Sequence, residues 1–262
     1  MTIRKLAALG CLAALAFAAT GIAADKAPVQ TVQKFEKQIT AGDQTKTVEM
    51  SYLLYLPEGY DKQAKPATKQ WPLVLFLHGA GERGDDINKV KIHGPPKLVE
   101  QGKTFPFILV SPQCSTKSWW QTDTLKALLD DVTAKYAVDK DRVYVTGLSM
   151  GGFATWALGC EQPDRFAALV PICGGGDPKK ADKLKDIPIR VYHGGKDGTV
   201  PLKKSQEMVD AIKAAGGKNI ELIVDPEAGH DSWTKAYDDP GLYTWLLEQK
   251  RPAKPADAKA EK

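Results

Sequence analysis

The sequence has few cysteine residues: four in 262 positions, namely Cys11, Cys114, Cys160 and Cys173. No two of them have the spacing of a zinc-binding pair, so the sequence predicts no metal site. Cys11 lies in the N-terminal apolar run described below. In an oxidising compartment the other three allow one disulfide and leave one thiol over, and the pairing stays open.

Excess charge is also missing from the middle of the chain. The formal charge is +4, and residues 1–24 and 251–262 each contribute +2, so the segment between them is neutral. A neutral segment gives no basic surface for a phosphate backbone. Nucleic acid is therefore not an expected partner.

Beyond residue 24 no apolar run is long enough to span a bilayer. Before it, Arg4 and Lys5 precede the uncharged run LAALGCLAALAFAATGIAA. A positive start, an apolar run and small residues at its end are typical of a signal peptide, here residues 1–24. The alternative is a membrane anchor. We expect cleavage, no stable membrane insertion afterwards, and a secreted or periplasmic protein.

Short runs rich in β-branched and aromatic residues predict strands. They occupy residues 49–57, 72–78, 106–112, 142–147, 168–174, 187–194 and 220–226, with the first typical of an edge strand. Apolar residues at helical spacing lie between them, as in Leu125, Leu128, Leu129, Val132 and Tyr136. The alternation predicts an α/β fold with a mostly parallel central sheet and helices on both faces.

One domain is expected over residues 45–250, preceded by an N-terminal segment, 25–44. The terminal stretch RPAKPADAKAEK, residues 251–262, lacks bulky apolar residues and predicts a disordered tail. Only GGGDPKKADKLKD separates two of the predicted strands, which leaves no room for a cap domain. A site at the edge of the sheet would therefore be open.

The stretch VYVTGLSMGGFATWAL, residues 143–158, predicts a strand, a tight turn that carries Ser149, and a helix. Gly147, Gly151 and Gly152 suit the close backbone approach that such a turn requires. The pattern indicates a nucleophile elbow, with the hydroxyl at the positive end of a helix. Taken alone, it also fits a plain strand-to-helix junction.

Two candidate partners follow Ser149 in the chain, each just after a predicted strand. Asp197 lies in HGGKDGTVP and His230 lies in EAGHDSW. Ligands of parallel sheets bind at the carboxyl ends of the strands, and the order serine, acid, histidine fits a hydrolase. The rival acids are Asp225, at a strand end, and Asp231, which is better placed to cap the next helix.

An acyl-transfer serine also needs backbone donors for the oxyanion. The N–H of Met150 is one, and the loop HGAGERG should supply the other, from Ala80 or its neighbour Gly81. Glu82 and Arg83 are expected to shape this loop rather than to touch substrate. His193 is expected to support the Asp197 loop.

Two adjacent tryptophans, Trp119 and Trp120, lie in CSTKSWWQTD, after a strand that ends at the same edge. Aromatic rings there suit a sugar or an aromatic acyl group, and the alternative is packing against the core. Trp233 is expected to anchor the last helix.

The motifs LHGAGERGDD, GLSMGG, HGGKDGTVP and AGHDSW together resemble the α/β-hydrolase fold over residues 45–250. They resemble most the secreted esterases close to phospholipase/carboxylesterase and to feruloyl and acetylxylan esterases. The resemblance implies Ser149 as nucleophile, Asp197 as orienting acid, His230 as general base, and Ala80 and Met150 as oxyanion donors. It also implies a carboxylic ester substrate, on a polysaccharide in some members, and no cofactor.

Three functions compete at this point. The first is a secreted serine esterase, and the second is a serine peptidase of the prolyl-oligopeptidase type. That peptidase type usually carries a large propeller domain, for which this sequence has no segment. The third is a non-catalytic binding protein on a hydrolase scaffold, against which the intact serine, aspartate and histidine set argues.

Overall fold

The structure, a computed structural model, describes residues 29–41, 44–63 and 69–252. The predicted signal peptide and all but the first two residues of the predicted tail lie outside these ranges. Its strands are β1 Gln30–Ala41, β2 Gln44–Tyr55, β3 Trp71–Leu77, β4 Ile108–Pro112, β5 Val138–Leu148, β6 Ala168–Ile172, β7 Ile189–Gly194 and β8 Ile220–Asp225. Its α-helices are α1 Gly94–Glu100, α2 Thr122–Lys135, α3 Met150–Glu161, α4 Lys203–Ala214, α5 Trp233–Asp238 and α6 Pro240–Glu248.

The eight strands form one sheet in the order β1-β2-β4-β3-β5-β6-β7-β8. Strands β3 to β8 run parallel, and β1 and β2 form an antiparallel hairpin that joins the sheet through β4. The predicted α/β-hydrolase fold with a mostly parallel sheet is confirmed.

Strand β3 shows why helices cover both faces of the sheet. All seven of its residues are buried, and they point alternately to two separate cores. Leu73 and Leu75 pack with residues of α2, α3 and α4, whereas Val74 and Phe76 pack with residues of α1, α5 and α6. Burial on both faces explains the continuous apolar run that marks this strand in the sequence.

The structure corrects the predicted edge strand. Strand β2, which contains most of residues 49–57, pairs on both sides, with β1 and with β4. The outer strand is β1, which lies within the predicted N-terminal segment, 25–44. Its sequence, QTVQKFEKQITA, buries only Phe35 among its described side chains. A strand this polar lacks the apolar pattern by which the other strands are predicted.

The hairpin extends beyond the sheet at the carboxyl ends of the parallel strands. Pairing between β2 and β4 stops at Tyr52 and Pro112, and the first residue after β4, Gln113, donates its N–H to Ser51 O at 2.9 Å. Residues 44–51, paired with 34–41 of β1, continue past that edge. We call these two stretches the overhanging hairpin.

Between β6 and β7 the chain forms only a 3₁₀ helix, Pro178–Leu184, so the described residues there contain no cap domain. The first residue of the predicted tail is held, because Arg251 Nη2 donates to Asp141 Oδ1 at 2.8 Å. No helix in the described ranges is both long and apolar enough to cross a lipid bilayer.

The open question of disulfide pairing is answered by the structure. Cys114, Cys160 and Cys173 are all buried free thiols. Each belongs to one of the two cores, where it packs as a small apolar side chain.

Candidate active site

Ser149 lies in the turn between β5 and α3. Its backbone has φ 51° and ψ −115°, a left-handed conformation that is strained for a residue with a side chain. Two hydrogen bonds hold it there: Ser149 N–H donates to Ile172 O at 3.0 Å, and Phe153 N–H donates to Ser149 O at 3.0 Å. The neighbouring strand β6 and the new helix together fix the position of the hydroxyl.

The glycines around Ser149 let helix α3 begin in backbone contact with the sheet. A Cβ on Gly151 would lie 1.9 Å from Leu77 O, and one on Gly152 would lie 2.4 Å from Ile172 O. Any side chain at either position would force the first turn of α3 away from β3 or β6. The G-x-S-x-G-G pattern therefore has a steric cause here.

Ser149, His230 and Asp197 form one hydrogen-bonded row. His230 Nε2 lies 3.0 Å from Ser149 Oγ, and His230 Nδ1 lies 2.8 Å from Asp197 Oδ2. Because a carboxylate only accepts, Nδ1 carries the proton and Nε2 of the neutral ring accepts from the serine hydroxyl. The ends of β5, β7 and β8 thus bring together three residues that are far apart in the sequence.

The Asp197 carboxylate is held as an anion. Its Oδ1 accepts the backbone N–H groups of Thr199 and Val200, each at 2.9 Å, while Oδ2 accepts from His230. Burial by itself raises the pKa of Asp197, but hydrogen bonds from His230, Val200 and Thr199 outweigh it and hold the pKa below its usual range. Asp197 is therefore ionised at neutral pH.

The two rival acids are occupied elsewhere. Asp225 accepts from Lys235 Nζ at 2.8 Å, and Asp231 accepts the N–H of Thr234, in the first turn of α5, at 3.1 Å. The carboxylate that is hydrogen-bonded to His230 is that of Asp197.

His193 holds the loop that carries Asp197 in place through contacts of both ring nitrogens. Its Nδ1 lies 2.7 Å from Ser205 Oγ, and its Nε2 lies 2.8 Å from Val200 O and 3.3 Å from Asp197 Oδ2. Burial lowers the pKa of His193, so the ring is neutral at neutral pH. Its position fits the structural role expected from the sequence.

Two backbone N–H groups stand open beside the serine turn. Ala80 is the first residue of a 3₁₀ helix, Ala80–Glu82, and Met150 is the first residue of α3. The first N–H of a helix has no acceptor within that helix. Both amides are therefore free to donate outward.

Glu82 and Arg83 hold the loop that carries Ala80. Glu82 Oε2 accepts the Gly79 N–H at 2.9 Å, and Arg83 Nε donates to Ala80 O at 2.9 Å. Arg83 Nη1 also donates to Ser118 O, at 3.2 Å. These contacts to backbone atoms agree with the shaping role that the sequence favours.

His78 ties this loop to the one after β4, a role that the sequence reading missed. Its side chain is fully buried, and Nε2 accepts the Cys114 N–H at 3.0 Å. Nδ1 must then carry the proton and donate to Gly79 O, at 2.6 Å. Burial lowers the pKa of His78 to about 4. Its place directly after a fully buried strand was the available signal.

The two adjacent tryptophans separate in the structure. Trp120 is 5% exposed, packs in the core and donates Nε1 to His78 O at 3.1 Å. The core and His78 cover most of the Trp120 ring, as in the alternative that the sequence left open, and substrate binding by Trp120 stays a prediction. Trp119 is 51% exposed, with its ring edge-on to Phe153 of α3 at 6.2 Å between centroids. Substrate binding stays a prediction for Trp119 as well, and its ring is the more accessible of the two.

A second row of side chains joins His230 to the loop that carries Ala80. The Trp233 ring meets the His230 ring at 5.1 Å between centroids and an interplanar angle of 89°. Trp233 Nε1 donates to His93 Nδ1 at 3.3 Å, and His93 Nε2 lies 3.7 Å from Glu82 Oε1. No local sequence signal marks His93, because its partner is 140 positions away in the chain.

Within the part of the chain that the structure describes, one group of three side chains is close enough to share a metal ion. Ligand atoms of Cys173, Asp197 and His230 lie within 4.8 Å of one another. Burial raises the pKa of Cys173 to about 12, so its thiol keeps its proton at neutral pH, and Asp197 and His230 already bind each other. The group therefore offers no thiolate ligand.

The backbone contact at Gly151 gives a direct test. Gly151→Ala should lower the free energy of unfolding by about 3 kcal/mol or more, because its Cβ would overlap Leu77 O. Gly198→Ala is the control, since its Cβ would meet no atom within 4 Å, and it should change stability by less than about 0.5 kcal/mol. Equal urea midpoints for the two variants would contradict the contact.

His78 gives a second test, through pH. Its folded-state pKa of about 4 lies below the ordinary 6.5, so the unfolded chain binds the proton first as pH falls. Stability present above pH 6.5 should decline towards pH 4, by about 3 kcal/mol in total. His78→Gln keeps a donor and an acceptor without titrating, so urea unfolding at several pH values should show a flatter profile. His193 is present in both proteins, so its effect cancels.

The chain is similar to several hydrolases. It is 27% identical over 184 residues to the "Probable feruloyl esterase C" of Aspergillus terreus, over 68% of this chain and 66% of that protein. A solved thermostable esterase is 31% identical, with a TM-score of 0.66 over 83% of this chain and 63% of that one. A Pyrococcus horikoshii acylaminoacyl peptidase shares the fold alone. It is 16% identical, with a TM-score of 0.60 over 90% of this chain and 45% of that one.

The chain spans about two thirds of the length of the first two relatives and less than half of the peptidase. A family model matches residues 107–259, which include strands β4 to β8 and the serine, aspartate and histidine row. That match covers more than half of the sequence. The chain therefore belongs to the dienelactone hydrolase family, and its fold is that of the α/β hydrolases.

Proposed function

We propose that the protein is a serine hydrolase that cleaves carboxylic esters, with Ser149 as nucleophile, His230 as general base and Asp197 as orienting acid. The observation that carries the proposal is the unbroken row from Ser149 Oγ through His230 to the ionised Asp197. Membership of the dienelactone hydrolase family and similarity to named esterases support it.

In the proposed acylation, Ser149 Oγ attacks the ester carbonyl carbon while His230 Nε2 takes the hydroxyl proton. The bond from that carbon to the alcohol oxygen breaks, and His230 gives its proton to the leaving alcohol. Asp197 stays ionised throughout and stabilises the imidazolium through Nδ1. The acyl group is then bonded to Ser149 as an ester.

Deacylation repeats these steps with water. His230 takes a proton from a water molecule, whose oxygen attacks the acyl carbon. The bond from carbon to Ser149 Oγ breaks, the proton returns to Oγ, and the carboxylic acid leaves. The N–H groups of Ala80 and Met150 are the proposed donors to the oxyanion in both steps.

The proposed substrates are esters of small or aromatic acids, acetyl or feruloyl among them, on a polysaccharide alcohol. The open edge of the sheet, the exposed ring of Trp119 and the feruloyl esterase relative support this class. A serine peptidase of the prolyl-oligopeptidase type is the alternative.

We also propose that residues 1–24 direct export to a secreted or periplasmic location, from the charge and apolar pattern described above.

Replacing the row residues tests the activity. On p-nitrophenyl acetate and methyl ferulate, Ser149→Ala should lower kcat by about 10⁶-fold. Asp197→Asn should lower it by about 10⁴-fold, because the amide would favour the wrong tautomer of His230. Asp231→Asn is the matched control and should stay within about twofold. Ser149-independent ester turnover would contradict the assignment, and cleavage of a prolyl peptide alone would favour the alternative.

The base role of His230 predicts a pH dependence. Only the neutral imidazole accepts the serine proton, so kcat/KM for methyl ferulate should rise with pH between about 5 and 8 and then level off. The measurement is the initial rate after subtraction of spontaneous hydrolysis. A flat profile over this range would count against His230 as the base.

A further inference from the structure

A groove of about 490 Å³ lies between the overhanging hairpin and the loop that follows β4. Residues of β1 and β2 form one wall, and residues 113–121 form most of the other. We call it the hairpin groove. Neither Ser149 nor His230 lines it, so it is distinct from the site of bond cleavage.

The hairpin groove adjoins the candidate active site on two sides. Gly84 and Asp85, which line it, continue the loop that carries Ala80. Trp119 lines it as well, and its ring packs edge-on to Phe153, four residues after Ser149. Since the overhanging hairpin passes the carboxyl edge of the sheet, groove and catalytic row lie at the same edge.

The chemistry of the groove is that of a site for hydroxyl groups. Its polar lining combines hydroxyl, amide and carboxylate side chains, among them Ser51, Ser115 and Gln121, beside the half-exposed ring of Trp119. A sugar ring presents hydroxyl groups at its rim and C–H groups on its faces. It can therefore hydrogen-bond to such side chains and pack a face on the indole.

The charged residues that line the groove indicate whether it would bind a neutral or an acidic glycan. Glu36, Glu49 and Asp85 are the acidic residues of its lining, against one basic residue, Lys34. An anionic polymer would be repelled by this excess, whereas carboxylates are strong acceptors for the hydroxyl groups of a neutral one. The lining therefore favours an uncharged glycan.

We propose that the hairpin groove binds a neutral glycan chain, the polymeric alcohol of the ester that Ser149 cleaves. The proposal rests on the proposed esterase function for the identity of the attached group. Binding of the chain itself does not depend on turnover. A substrate whose ester lies at Ser149 would pass Trp119 and continue along the hairpin.

Binding can be measured without an ester. Xylohexaose and cellohexaose, as neutral probes, should bind the wild-type protein and Ser149→Ala with equal affinity in isothermal titration calorimetry. The double variant Glu36→Ala/Glu49→Ala should bind at least about fivefold more weakly, as expected when hydrogen bonds to charged groups are lost. The matched control, Glu58→Ala/Glu248→Ala, removes two exposed carboxylates outside the groove and should match the wild type.

Trp119 supplies a second readout. Bound glycan should shield the Trp119 ring from fluorescence quenching by iodide, and the shielding should be absent in Trp119→Phe.

Kinetics give a third readout. The ratio of kcat/KM on a feruloylated xylo-oligosaccharide to kcat/KM on methyl ferulate should fall about fivefold in Glu36→Ala/Glu49→Ala. Thermal unfolding of each variant confirms that it is folded.

Three results would overturn the proposal: no binding of either neutral probe up to millimolar concentrations, equal binding by the groove variant and its control, or tighter binding of an oligogalacturonate than of both neutral chains. Loss of the esterase function is a separate result. It would appear as no Ser149-dependent turnover of any ester, with glycan binding still measured on the same protein.

Discussion

The direct backbone contact between the first turn of α3 and the ends of β3 and β6 is the constraint on which the rest of the site depends. It exists because Gly151 and Gly152 have no side chains to separate the helix from Leu77 O and Ile172 O. The contact leaves Ser149 in a left-handed conformation and directs its hydroxyl outward. It also brings the open N–H of Met150 close to the loop after β3. One steric condition therefore positions both the serine and one of the two amides beside it.

Around this turn, two buried neutral histidines hold loops in place through hydrogen bonds, and His230 differs from them in exposure. His78 and His193 are fully buried, with lowered pKa values, and each is hydrogen-bonded through both ring nitrogens. The side chain of His230 is 22% exposed. Because burial lowers the pKa values of His78 and His193, both rings stay neutral and keep their hydrogen bonds at neutral pH.

Sequence patterns predicted the parallel strands and the serine turn because their causes are local. Strands buried on both faces need continuous apolar runs, and the serine turn needs its glycines. The remaining features lack a local cause. Strand β1 is polar, so no apolar pattern marks it. Trp119 and Trp120 are adjacent, and only the fold decides that one turns to His78 and the other to solvent. The contact of His93 with Trp233 joins segments that no short pattern relates.

The overhanging hairpin continues from the four residues of β2 that pair with β4, Tyr52 to Tyr55, and is also held by the bond from Gln113 N–H to Ser51 O and by the buried Phe35. None of Ser149, Asp197 and His230 lies on β1 or β2, so the far end of the hairpin can change in length without moving the strand ends that carry these three residues. Because side chains alternate along a strand, insertions or deletions of two residues per strand keep the same face towards the groove. Ester cleavage and the proposed binding of a polymer would therefore be separable in this architecture, because the length of a single β-hairpin would affect only the second.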